Sequence, residues 1–79
     1  IVYDAGVVAF KNEDFDQAKA LFDGVTQNDQ ASRRLKEQAY FNKANTHVKL
    51  NELKEALAVY DQVLMLNPYN EQAKHNVNV

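Results

Sequence analysis

Lys-Asn-Glu-Asp-Phe-Asp-Gln-Ala-Lys-Ala-Leu-Phe at residues 11–22 and Lys-Leu-Asn-Glu-Leu-Lys-Glu-Ala-Leu-Ala-Val-Tyr at residues 49–60 are two copies of one module. The correspondence is one of roles: Phe15 with Leu53, Ala18 with Ala56, Phe22 with Tyr60. It continues outward to Val25 with Val63 and back to Gly6 with Ala44. The offset is the same at every one of these pairs. Self-similarity at a period of roughly 20–50 residues marks units that cannot bury their apolar faces alone and must stack on one another. The repeat therefore decides the fold before any single element does.

Around the two copies, apolar residues recur at helical spacing. Val2, Ala5, Gly6 and Ala9 predict a first helix. Phe15, Ala18, Leu21, Phe22 and Val25 predict a second, with Asp14 as its N-cap, where a carboxylate can accept from the first-turn N–H groups. Residues 26–30 are a polar connector. A third helix is expected over residues 31–49, with the stripe Leu35, Ala39, Tyr40, Ala44, His47 and Val48. Asn51 follows it, a residue type that tolerates the left-handed conformation many helix ends need. The fourth helix carries Leu53, Ala56, Leu57, Tyr60, Val63 and Leu64 and stops at Asn67-Pro68, because proline has no N–H and disfavours helix in the residue before it. Pro68 also suits the first turn of a fifth helix over residues 69–79. Two Gly and one Pro in 79 residues leave few tight turns, so the fold class is all-α.

Composition removes several functions. Nine Lys and Arg against eleven Asp and Glu give a formal net charge of −2, which argues against nucleic acid as a partner, since phosphate binding needs a basic stripe. With no Cys there is no disulfide scaffold and no thiol nucleophile, and two His alone make a structural zinc site a poor reading. No apolar run approaches the ~20 residues of a membrane span, so direct membrane insertion is not expected. Ile1 opens the chain with no targeting segment in view, and a Cys-free chain suits cytosol and periplasm alike, so the compartment stays open.

The second copy resembles a known family. Tyr40, Ala44, Leu53, Ala56, Tyr60, Val63 and Asn67-Pro68 look like the tetratricopeptide repeat, whose pattern runs aromatic, small, aromatic, Ala, aromatic, small, Pro over about 34 residues. Residues 37–70 fit that length without gaps, and residues 1–30 resemble a first repeat lacking its opening residues. Residues 31–36 are then an extended connector and helix start, and residues 71–79 a cap or the first helix of a third repeat. The offset between the copies exceeds the family's repeat length, and the surplus falls near Arg33-Arg34-Leu35-Lys36. It would lengthen the third helix by about one turn without disturbing the stack. The resemblance implies a single domain over residues 1–79. It would be a right-handed αα solenoid of two helix-turn-helix repeats plus a terminal helix, five helices in all. It also implies a non-enzymatic scaffold that binds other proteins. A narrower likeness of residues 37–79 is to tetratricopeptide proteins of bacterial aerotolerance operons, which act beside von Willebrand-type domain proteins at the cell envelope.

Departures from the pattern are specific. Lys43 stands where the family prefers Leu and His47 where it prefers Tyr, while Val25 and Val63 replace the usual Ala, which would space the helix pairs more widely. The first copy has Val2 in place of its aromatic and Gln30 in place of Pro. In the last helix Ala73 and Val77 are expected to pack back on Tyr60 and Leu64, leaving Lys74 and Asn78 solvated as in a capping helix.

In the resembled fold the first helix of each repeat lines the concave surface. That face receives Tyr3, Val7, Phe10 and Lys11 from the first helix, then Gln38, Phe41, Asn42, Asn45 and Lys49 from the third. The last helix adds Gln72, His75 and Asn76. The expected occupant is an extended peptide or a helix, because carboxamides pair with backbone N–H and C=O whatever the partner's side chains. A clamp for a terminal carboxylate, known in some relatives, does not fit. Only Asn42 matches it, and Tyr3, Val7, Gln72 and Asn76 stand where its other residues should be. The other partner class left open is self-assembly into a homo-oligomer through the repeat surfaces.

No constellation of catalytic type stands out. His47 and His75 are far apart in the chain, with no metal-binding motif near either. His47 is expected to be partly buried and bonded to a neighbour. Glu13, Asp14 and Asp16 lie where negative charge complements a helix N-terminus, and Arg33, Arg34 and Lys36 read as a solvated basic face. No enzyme activity and no cofactor is expected.

Overall fold

The computed structural model describes residues 2–78 and, at Val2, the backbone alone. The expected contribution of the Val2 side chain and the extension of the last helix to Val79 lie outside the described residues. Five α-helices and no strand are found among them: α1 (Val2–Lys11), α2 (Phe15–Thr26), α3 (Arg33–Lys49), α4 (Leu53–Leu66) and α5 (Glu71–Val77). Each helix packs chiefly on the next in chain order, with a smaller contact between α1 and α3. The result is a slab of 29 × 28 × 16 Å, as expected when helix pairs stack side by side and each unit touches only its neighbours.

The constant offset of the two copies is visible in the backbone. The α1–α2 turn is closed by Asn12 N to Val8 O, Glu13 N to Phe10 O and Asp14 N to Ala9 O. The α3–α4 turn is closed by Leu50 N to Thr46 O, Asn51 N to Val48 O and Glu52 N to His47 O, bond for bond at the equivalent positions. Glu13 and Asn51 occupy equivalent points and are both left-handed, with φ of 63° and 61°. Asn adopts that conformation readily; at Glu13 it is imposed by the same turn at a residue type that disfavours it.

Burial follows the paired positions. Ala18 and Ala56, Phe22 and Tyr60, Val25 and Val63 are all buried, and so are Gly6 and Ala44. Two apolar clusters result, one per helix pair. Ala9, Ala18 and Phe22 form the first. Ala44, Ala56, Tyr60, Val63 and Ala73 form the second, with Leu64 and Val77 against it. Lys74 and Asn78 are exposed.

Several local expectations are corrected. α3 begins at Arg33, not residue 31, because Ser32 is extended and its hydroxyl accepts from Leu35 N at 3.1 Å. Arg33-Arg34-Leu35-Lys36 thus form its first turn. Asp14 precedes α2 but makes no side-chain cap. Pro68 and Tyr69 lie in a turn before α5, which starts at Glu71 once the Asn70 side chain accepts from Ala73 N at 3.0 Å. Ala5, Val48, Leu53 and Leu57 share the apolar spacing of their helices yet are exposed, Leu53 by 55%. Phe15, Leu35 and Tyr40 are half-buried. Tyr3, Phe10 and Phe41, placed on the concave face by register, also pack against the clusters.

Candidate functional site

All twelve residues assigned to the concave face by register line a run of four adjoining depressions along α1, α3 and α5. Phe10, Lys11 and Lys49 lie at one end. Tyr3, Val7, Phe10, Lys11 and Asn42 border the next depression. Tyr3, Gln38, Phe41, Asn42 and Gln72 border the third. Phe41, Asn45, Gln72, His75 and Asn76 border the last, between α3 and α5. Successive turns of α3 supply the middle of the run, and α1 and α5 supply its banks.

The aromatic residues are held by a repeated pair with its hydroxyl moved. Tyr3 tilts against Phe22 at 5.9 Å and 53°. At the equivalent positions of the second copy, Phe41 tilts against Tyr60 at 5.8 Å and 57°. In the first pair the phenol is on α1, and Asn42 donates to Tyr3 Oη at 2.6 Å. In the second it is on α4, and the Tyr60 hydroxyl donates to Asn45 Oδ1 while the Asn76 side chain also bonds to it. Burial pushes both phenols above the ordinary tyrosine value. Their amide partners oppose that shift at each site, and the Asp4 charge adds to it at Tyr3.

Asn42, Asn45 and Asn76 are therefore fixed by tyrosines inside the fold. A carboxamide has two N–H donors and an oxygen with two lone pairs, so each keeps bonding capacity toward the depressions in an orientation already set. Gln38, Gln72 and His75 are exposed.

Glu37, Asn70 and Glu71 also line these depressions and were missed by register. Glu37 accepts from Asn67 Nδ2 at 3.0 Å and from Asn70 Nδ2 at 2.8 Å, and Arg33 Nε donates to Leu66 O at 3.0 Å. The first turns of α3 thus hold the end of α4 and the turn that launches α5. Two asparagines around Pro68, facing an acid that opens the repeat, were the signal in the sequence.

Among known families, the tetratricopeptide repeat matches residues 37–70. The chain carries a tetratricopeptide repeat. Repeats of this kind generally mediate protein–protein interaction. Two of the departures inside this tetratricopeptide repeat, Lys43 and His47, enter polar contacts that reach the preceding helix pair, one directly and one through Glu52. Lys43 makes an ion pair with Asp23 of α2. His47 Nδ1 lies 2.7 Å from Glu52 Oε1, which also receives Lys19 of α2 at 3.3 Å. His47 and Lys19 hold the Glu52 carboxyl below the usual range, the His47 hydrogen bond being the larger cause. Neither curated proteins nor solved structures give a match to the chain. The narrower likeness to aerotolerance-operon proteins thus has no relative behind it. No group of three or more metal-ligating side chains and no helix long and apolar enough to cross a membrane occurs among the described residues.

Proposed function

We propose that the face formed by α1, α3 and α5 binds an extended peptide or a helix of a partner protein. The observation that carries this reading is the continuity of the four depressions, with half-buried aromatics beside carboxamides whose orientation is fixed by tyrosine hydroxyls. Apolar contact supplies affinity, and pre-oriented amides reduce the ordering cost of pairing with a partner's backbone. The test is a selection of displayed random-sequence peptides, followed by amide chemical-shift mapping of those that bind. Shifts along α1, α3 and α5 are expected; shifts confined to α2 and α4 would overturn the reading.

A second reading is self-assembly. Val8, Val48, Leu53, Leu57, Met65 and Tyr69 are exposed large apolar side chains, and none lines the four depressions. Sedimentation over a rising concentration series separates the two: a monomer throughout removes self-assembly.

A further inference from the structure

We propose that the depression between the C-terminal ends of α1 and α3 is a subsite for an acidic residue with an apolar neighbour. A bound segment then lies on the face in one direction, its acidic end at Lys11 and Lys49. This rests on the peptide-binding reading above and adds the chemistry and polarity of the ligand.

Five residues line this depression: Phe10, Lys11, Glu13, Phe15 and Lys49. Phe10 and Phe15 meet edge to face at 5.4 Å and 71°; both are half-buried, so together they present apolar ring surface beside the charges. Lys11 and Lys49 are equivalent residues of the two repeats, each the last residue of its helix. A lysine there complements the helix dipole, but that accounts for each one singly and not for their sharing one depression with an aromatic pair. Neither has an ion-pair partner among the described residues, whereas Lys19, Lys43 and Lys74 pair with Glu52, Asp23 and Glu71. Glu13 is the one carboxylate in the depression, so two cations outweigh it.

The opposite end of the face has the other sign. Glu37 and Glu71 line the depressions beside α5, and no Lys or Arg does. The chain as a whole is at −2, so an acidic ligand is disfavoured everywhere except where cations are locally in excess. Complementary potentials of this kind fix register and direction more than they raise affinity.

Displayed random-sequence peptides are selected on the protein. The strongest binders are synthesised beside versions with Asp and Glu changed to Asn and Gln, and titrated against wild type, Lys11→Gln with Lys49→Gln, and Gln72→Ala with His75→Ala. All four substituted residues are exposed, and circular dichroism confirms helicity. Expected are peptides enriched in an acid next to an apolar residue. Their affinity should fall roughly two- to fivefold for each lysine removed, as for exposed ion pairs, and by a similar factor on acid-to-amide change. A spin label next to the acid should broaden amides near residues 11 and 49 rather than those of α5. Binders that lose affinity with Gln72→Ala and His75→Ala but show no acid enrichment, or ignore the lysine changes, overturn the subsite and leave the peptide-binding face standing. Binders indifferent to both pairs, or no binders, overturn both.

Discussion

Gly6 and Phe22 approach so closely that a Cβ on Gly6 would stand 2.7 Å from Cε1 and 2.9 Å from Cδ1 of the fully buried Phe22 ring. The equivalent pair is Ala44 and Tyr60, where a methyl group is accommodated at full burial. The first repeat thus seats its ring against bare backbone. Gly6→Ala gains helix propensity of about 1 kcal/mol but forces a core ring to move, and overpacking of this kind costs about 1–3 kcal/mol. A net loss of roughly 1 kcal/mol in urea unfolding is expected, much reduced in a Phe22→Leu background because the two sites are in contact. A stability gain from Gly6→Ala in the wild-type background would show that the ring yields freely.

Ala56 is buried where α3 and α4 pack, within the cluster of Ala44, Tyr60, Val63 and Ala73. Ala56→Leu adds three carbons to a buried helix contact and is expected to cost about 1–3 kcal/mol, severe for a domain with ~5 kcal/mol to lose. An unchanged denaturation midpoint would mean that the second cluster is not packed as described.

The fold was legible because a constant offset between two copies and a helical apolar stripe are both properties of sequence order. Equivalent residues such as Phe22 and Tyr60 could be paired without coordinates. Asn51 could be read as left-handed from its type, whereas Glu13 could not, since only the turn's repetition forces it there. The exposure of Leu53 and Leu57 was hidden for another reason: apolar spacing says which side chains share a face, not whether a neighbour covers it. The face residues follow from helix register, so all twelve could be placed. Their hydrogen bonds join Asn42 to Tyr3 and Asn45 to Tyr60, on helices whose packing distance no spacing encodes.

That last point changes what truncation of the face does. Register alone treats Asn45 as a surface residue whose loss leaves stability untouched. Because its oxygen accepts from the mostly buried Tyr60 hydroxyl, Asn45→Ala is expected to cost about 1 kcal/mol in chemical unfolding. Removing both partners together is less harmful than leaving one unpaired, so Asn45→Ala should cost less in a Tyr60→Phe background. Additive losses would show that the bond contributes nothing to folding.

Glu37 holds both asparagines of the turn before α5. In Glu37→Ala, Asn67 and Asn70 lose their shared acceptor, though Asn70 can still cap α5 through its oxygen. Loss of about 1–2 kcal/mol is expected for two partly exposed, charge-assisted bonds. It should be felt locally, as faster amide exchange in α5 than in α2. Uniform acceleration across both helices would mean that the turn and the rest of the domain open as one unit.

Glu52 ties the repeats together, and the sign of its pH dependence follows from its partners. His47 and Lys19 lower its folded-state pKa below the ordinary 4.5. A carboxylate so depressed contributes stability that is present above the unfolded value and lost as pH falls through the folded one. The carboxylate is open to solvent, so the effect is small and salt-sensitive. The expected outcome is that wild type exceeds Glu52→Gln in thermal midpoint near neutral pH. The gap should close as pH falls below the ordinary carboxylate value, and narrow in high salt at any pH above it. Lys19→Met should remove part of the gap and leave the remainder to His47, the larger of the two causes. A gap constant down to the acid limit would mean that the carboxylate is not held by its partners in the folded state.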